Sequence, residues 1–186
     1  MAILNQINLK AIFLDRDGCI NKLNDKSRYV SKIEDFHLYS DAVQFLNFII
    51  PSKVEIAVVT NQKGIALGEV SQDFVEVAHL YICQKCNTTN DRIKLYVCPH
   101  LDASCTCRKP KPGLLLLAAA AARAMPEECV FIGDSMTDFE AAESAGMLFI
   151  GIDRDSQGKF DAVDVETYSN FMELVQDANI LNGLPS

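Results

Sequence analysis

Two carboxylates set one residue apart, directly after an apolar run, carry the most explicit chemistry in this chain. Ala11-Ile12-Phe13-Leu14 runs into Asp15-Arg16-Asp17-Gly18. Residues two apart in an extended segment point the same way, and a turn beginning at Asp17 lets both carboxylates and one backbone carbonyl face a common space. Mg²⁺ prefers such oxygen ligands and completes its shell with water and substrate phosphate. A carboxylate can also attack phosphorus, while its neighbour protonates the leaving oxygen and later activates water. The competing reading is a polar turn, since Asp and Gly favour turns without any catalytic reason.

Four further segments hold matching chemistry. Thr60-Asn61-Gln62-Lys63-Gly64 follows a second apolar run and offers a hydroxyl and amides to phosphate oxygens. Arg108-Lys109-Pro110-Lys111 places three cations in four residues of an acidic chain, and phosphoryl transfer needs positive charge on the equatorial oxygens. Phe131-Ile132-Gly133-Asp134 ends in a third carboxylate suited to the metal, and Asp138 lies one helical turn on, where an ion pair with Lys109 is expected. Cys98, His100, Cys105 and Cys107 supply three thiols and one imidazole within ten residues. That set suits a closed tetrahedral Zn²⁺ site, and ring closure over so short a loop would aim Arg108 and Lys109. Cys83 and Cys86 form a separate Cys-x-x-Cys at an expected helix end; free thiols are favoured there, with a share in metal binding left open. Cys19 and Cys129 are expected as core or near-site thiols.

The elements that must position these groups alternate between strand and helix. Strands are expected over Leu9–Leu14, Val54–Val59, Ile93–Val97, Cys129–Gly133 and Met147–Ile152, near-continuous apolar runs of the kind buried on both faces in a parallel sheet. Helices are expected from an Asp41 cap to Ile50, from a Ser71 cap to Lys85, over Leu114–Met125 after Pro112, and over Thr137–Ser144 closed by Gly146. Asn21–Ser31 reads as a loop beside the first strand end. The stretch after Asp153 reads as acidic and loop-like, with a helix near Tyr168–Asp177. The pattern predicts one domain over residues 1–186 with a doubly wound, mostly parallel α/β fold, in which ligands sit at the carboxyl ends of the strands.

The whole-chain totals bound the function. The 186 residues are 49% hydrophobic and 23% charged, with a net charge of -8. This argues against a nucleic-acid partner held by a broad basic surface but leaves room for a small anion held by a local cation cluster. Residues 1–10 lack a basic signal-peptide start, and the longest apolar run falls short of the ~20 residues that a membrane span needs. A cytoplasmic task on a small metabolite, performed as a monomer with neither nucleic-acid nor membrane partner, is the expectation. Seven cysteines in such a chain point to metal or free thiols rather than disulfides.

Taken together, the strand-end segments resemble the four motifs of the haloacid dehalogenase-like phosphohydrolases, in that family's order, over about residues 9–152. The resemblance implies that Asp15 is the nucleophile and Asp17 the general acid/base, that Thr60 and Lys109 stabilise the phosphoryl group, and that Mg²⁺ is held by Asp15, the backbone carbonyl of Asp17, and Asp134. Cys98-Pro99-His100 followed by Cys105-Thr106-Cys107-Arg108-Lys109-Pro110 is similar to the small-cap branch of heptose-bisphosphate and histidinol-phosphate phosphatases, in which a zinc loop replaces a large cap. Asp15-Arg16-Asp17-Gly18-Cys19-Ile20-Asn21, Tyr29-Val30 ahead of Ile33-Glu34-Asp35-Phe36, and Thr60-Asn61-Gln62-Lys63-Gly64-Ile65-Ala66 look more like the heptose members. The implied substrate is D-glycero-manno-heptose 1,7-bisphosphate, cleaved at the 7-phosphate. Arg108 then helps recognise it, Ser27, Arg28 and Tyr29 lie in a substrate-contacting loop, and Asn61, Gln62 and Lys63 line the same space. Histidinol phosphate is the alternative substrate, and a non-catalytic zinc-stabilised module the alternative class. The complete set Asp15, Asp17, Thr60, Lys109 and Asp134 weighs against the module.

Overall fold

The computed structural model describes residues 8–24, 29–102 and 104–177. Strand β1 (Ala11–Leu14) is followed by α1 (Ser40–Ile49), β2 (Glu55–Asn61), α2 (Lys63–Ala66), α3 (Gln72–Lys85) and β3 (Ile93–Cys98). Then come α4 (Gly113–Ala121), β4 (Cys129–Gly133), α5 (Met136–Ala145), β5 (Leu148–Ile152), β6 (Glu166–Tyr168) and α6 (Phe171–Gln176). The six strands form one sheet in the order β3-β2-β1-β4-β5-β6, and every pair is parallel. The expected "mostly parallel" sheet is therefore wholly parallel among the described residues.

Strand alternation splits the core between two layers. Ile12, Leu14, Ile56, Val58, Val130, Ile132 and Ile150 face one way, towards Phe45, Leu46, Val75, Ile82 and Phe171. Ala11, Phe13, Ala57, Val59, Phe131 and Phe149 face the other, towards Leu114, Leu115, Ala118, Ala141 and Ala142. Phe13 and Phe131 are essentially fully buried, and truncating either to alanine is expected to cost about 3–5 kcal/mol.

Several local expectations need correction. Asp41 does not cap α1. That helix starts two residues earlier, at Ser40 after Tyr39, with no side-chain cap, and the Asp41 carboxylate instead binds Arg154 and the backbone N–H of Phe171. Ser71 does cap α3, its hydroxyl accepting from Phe74 N at 3.0 Å, and Gly146 closes α5 in the left-handed region at φ 72°. Helix α4 ends at Ala121, short of Met125. Strand β6 and the single-turn α2 were not expected: the first is a three-residue polar edge strand, the second one turn immediately after a strand.

The register sets the site. Leu14 lies beside Val58 of β2 and Ile132 of β4, and Asp15 N donates to Ile132 O at 2.8 Å. The chain winds outward from β1 in both directions, so β1 and β4 flank the point where strand order reverses. Their carboxyl ends carry Asp15 and Asp134.

Candidate active site

Lys109 is the centre of the cluster. It is 4% exposed and its ammonium contacts Asp15 Oδ1, Asp138 Oδ1 at 2.6 Å and the carbonyl of Val59 at 3.1 Å. Of the three N–H donors of the ammonium, two make hydrogen bonds, to Asp15 and the Val59 carbonyl, while Asp138 is held as an ion pair. It also lies 5.1 Å from the Phe131 ring centre. Burial alone would lower the Lys109 pKa, but Asp138 and then Asp15 override that and hold it above the usual lysine range. The expected ion pair between Asp138 and Lys109 is present.

Asp138 is otherwise committed. Its Oδ2 accepts from Ser135 N at 3.2 Å and Ser135 Oγ at 2.6 Å, in a capping box that opens α5. Asp15, Asp134 and Asp138 bring one carboxylate oxygen each to within 4.8 Å of one another. Burial raises the Asp15 pKa well above the usual range, Lys109 opposes, and Asp138 and Asp134 add to the rise. Burial, then Asp138, pushes Asp134 up to about 6. Three crowded carboxylates with one internal cation make a site that a divalent ion would relieve, and Asp15 and Asp134 are the two not fully bound by protein donors. Gly18, at φ 93°, makes the closeness possible, because a Cβ there would run into the Asp134 carboxylate.

Asp17 faces elsewhere. Its carboxylate accepts from Arg16 Nη2 at 3.0 and 2.8 Å, Asn21 Nδ2 at 3.0 Å and Gln62 Nε2 at 2.6 Å. Burial alone would raise its pKa, but the Arg16 guanidinium, helped by Asn21 and Gln62, holds the carboxyl below its ordinary value. In this conformation it is a base, not an acid. Arg16, the largest fully buried side chain, also lies over the Phe36 ring at 5.5 Å. Neither Arg16 nor Asn21 was among the expected site residues. The available signal was a charged residue continuing an apolar run in the alternation, with a polar amide one helical turn beyond Asp17.

The residues at the end of β2 and just beyond it are built into the site in a different way from the one expected. Thr60 is buried and its hydroxyl accepts from Gln62 Nε2 at 2.9 Å. Asn61 does not present its amide freely. It donates to Lys109 O at 3.0 Å and accepts from Lys109 N at 3.1 Å, clamping the lysine backbone. Gln62 bridges Thr60 and Asp17, and Lys63 opens α2, half-buried. A cavity of about 310 Å³ is lined by Arg16, Asp17, Asn24, Tyr29, Asn61 and Gln62, among others. Ser27 and Arg28 lie outside the described residues. Arg108 is half-buried on the cysteine loop and donates to His100 O at 3.2 Å.

The cysteine loop converges as predicted. Cys98, His100, Cys105 and Cys107 bring their ligand atoms within 4.8 Å. Cys105 Sγ is 3.6 Å from Cys98 Sγ and 3.1 Å from Cys107 Sγ, and His100 Nδ1 lies 3.6, 3.2 and 3.3 Å from the three sulfurs. Tetrahedral Zn²⁺ with its usual bond lengths implies ligand–ligand edges of roughly 3.5–3.8 Å, so a small outward spread of the four ligands separates this arrangement from a zinc site. Cys83 and Cys86 lie apart, buried at the end of α3, with Cys83 Sγ 3.8 Å from His79 Nε2.

The chain is similar to known proteins. Residues 106–177 match the HAD-hydrolase-like family model. A D-glycero-alpha-D-manno-heptose-1,7-bisphosphate 7-phosphatase of Campylobacter jejuni is 36% identical over 154 residues, covering 81% of this chain and 87% of the relative. A D-glycero-beta-D-manno-heptose-1,7-bisphosphate 7-phosphatase of Pasteurella multocida is 34% identical over 144 residues, covering 73% and 77%. In fold, the chain is similar to a crystal structure of D,D-heptose 1,7-bisphosphate phosphatase from B. bronchiseptica complexed with magnesium and phosphate, with a TM-score of 0.78, 23% identity, and 91% and 100% coverage. Strand-end carboxylates, a buried lysine between two of them, and this extended likeness place the chain in the haloacid dehalogenase-like hydrolase family.

Proposed function

We propose that this chain is a Mg²⁺-dependent phosphomonoesterase that works through an aspartyl-phosphate on Asp15 and removes the 7-phosphate of D-glycero-manno-heptose 1,7-bisphosphate. The observation that carries the reading is the convergence of Asp15, Lys109 and Asp134 at the strand ends, in a chain whose relatives of this name align over most of their length. Relatives named for each anomer match, so the proposal covers both.

Asp15 and Asp134 would hold Mg²⁺, with the Asp17 carbonyl as third protein oxygen; the ion supplies charge neutralisation to the phosphoryl oxygens. Asp15 attacks phosphorus, its carboxylate–phosphorus bond forming as the bond to the sugar oxygen breaks. Lys109 keeps Asp15 oriented and, against the upward push of burial, helps keep it anionic. Asp17 donates a proton to the departing sugar oxygen, which requires that it take one up as substrate displaces donors of the Arg16, Asn21 and Gln62 cradle. Water then attacks the aspartyl-phosphate, Asp17 accepts its proton, and phosphate and free Asp15 result. The cavity beside Asp17 and Tyr29 fits the leaving sugar. Zn²⁺ on Cys98, His100, Cys105 and Cys107 would brace the loop that delivers Lys109. Among the described residues no helix is long and apolar enough to cross a membrane.

The test is turnover on a panel of phosphorylated sugars, amino alcohols and nucleotides with Mg²⁺ present. Heptose 1,7-bisphosphate is expected to have the highest kcat/KM. A large margin in favour of histidinol phosphate would overturn the substrate, and the absence of any phosphate ester turnover would overturn the reaction.

A further inference from the structure

The stretch after β5 returns one side chain to the catalytic edge. Lys159 Nζ lies 3.8 Å from Asp134 Oδ2, with its side chain about a third exposed. Its backbone is held from both sides. Asp153, the first residue beyond β5 and 5% exposed, accepts through Oδ2 from Gly158 N at 2.8 Å and Lys159 N at 3.3 Å. Gly158 takes φ 69°, a left-handed conformation that a side chain would strain. Phe160 is buried, its ring 5.5 Å from that of Phe149 and pressed on Gly151, where a Cβ would sit 2.7 Å from the ring. The Lys159 side chain therefore leaves from a fixed point.

The donor count at the site gives this placement meaning. Lys109 donates to Asp15 and the Val59 carbonyl and is ion-paired with Asp138, so it acts on a phosphoryl group chiefly as a buried charge. Arg16 is turned to Asp17. Lys159 differs: at 3.8 Å its contact with Asp134 is too long for a hydrogen bond, and its side chain keeps about a third of its exposure. We propose that Lys159 is a second cation of the phosphoryl site, poised against Asp134 and turning to a phosphoryl oxygen once a divalent ion is held by that carboxylate. A lysine stem has the rotatable bonds for so short a move. With Asp15, Asp134 and Asp138 negative and Lys109 and a divalent ion positive, a phosphate dianion leaves the cluster at net minus two; Lys159 brings it to minus one.

The inference rests on the phosphatase reading, and the experiment separates the two. Wild type, K159M, K159R, D153A and the D153A/K159M double variant are titrated with Mg²⁺, and then, Mg²⁺-loaded, with inorganic phosphate by calorimetry. Turnover of an aryl phosphate by wild type is measured alongside. K159M is expected to weaken phosphate binding by about 10-fold or more, the loss of one charge-assisted hydrogen bond, with Mg²⁺ affinity unchanged or tighter. K159R restores most of the phosphate affinity. D153A weakens it by less and adds little in the K159M background, because both act through one side chain. Phosphate affinity within twofold of wild type in K159M, or a parallel loss of Mg²⁺ affinity, overturns the role, and additive losses overturn the Asp153 clamp. If wild type turns over the ester while K159M binds phosphate normally, only this inference fails; if wild type neither turns over nor binds, both fail.

Discussion

At the scale of single residues, the acidic pair turns out to be two different environments. Asp15 sits among carboxylates and one lysine, whereas Asp17 sits in a cradle of donors led by Arg16. The pair itself was legible, because residue type and spacing are visible in a string. The division was not, since it depends on Gln62 and Asn21 arriving from other turns. Replacing Asp15 with asparagine keeps the shape and removes the attacking anion. Turnover is expected to fall by roughly three orders of magnitude or more with the circular dichroism spectrum unchanged; wild-type rates would remove Asp15 as nucleophile. Asp134 makes a separate prediction about the metal-free protein. Its folded pKa, about 6, lies above its ordinary 3.8. The stability tied to that shift is present below about pH 4 and lost as pH rises through 6. D134N should therefore resist denaturant better than wild type at pH 8, by on the order of 2–3 kcal/mol, and the advantage should vanish near pH 4. A pH-independent difference would mean that packing, not charge, separates the two proteins.

At the scale of elements, the strands were legible and the joints between them were not. Val54–Val59 and Cys129–Gly133 announced themselves as apolar runs, while Glu166-Thr167-Tyr168 is too short and polar to read as a strand until Ile150–Ile152 is beside it. The β2 end shows why roles blur at this level. Asn61 looked like a phosphate donor, yet its amide ties the end of β2 to the loop that carries Lys109. N61A should remove both hydrogen bonds and cost about 1–3 kcal/mol. It should also lower kcat about 10-fold through a displaced Lys109 while Mg²⁺ affinity stays within twofold; loss of KM alone would return Asn61 to substrate binding. The neighbouring cysteine loop is joined to α4 by Gly113 N to Thr106 O at 3.2 Å and to Lys111 through Cys105 O at 2.6 Å. Stripping zinc with a chelator should lower Tm and raise KM, because the loop that aims Arg108 and Lys109 loses its brace. Unchanged Tm and KM after verified removal would count against a structural ion.

At the scale of the whole molecule, the sheet order gathers Asp15, Thr60, Lys109 and Asp134 from across the chain, and that gathering could be anticipated from strand ends alone. What could not be anticipated is how the segment beyond β5 is tied back, because its partners lie more than a hundred residues away. Arg154 Nη1 donates to both oxygens of Asp41 at 3.1 and 3.0 Å, its Nη2 donates to Cys19 O at 2.8 Å, and its guanidinium lies 3.5 Å over the Tyr39 ring. Asp41 in turn accepts from Phe171 N at 2.9 Å, and Phe171 stacks on Phe45 at 4.8 Å. One cation thus joins the turn after β1, α1, the segment after β5 and the start of α6. The pair is only 13% and 17% exposed, so removing one partner leaves the other poorly solvated. R154M is expected to cost about 3 kcal/mol in denaturant unfolding, with little salt dependence because the pair is shielded from mobile ions. D41N should cost less, since an amide oxygen still accepts from Phe171 N. In the double variant the losses should fall well short of their sum. Full additivity would mean that Arg154 is held by the Tyr39 ring and the Cys19 carbonyl alone, and that Asp41 serves α6 independently.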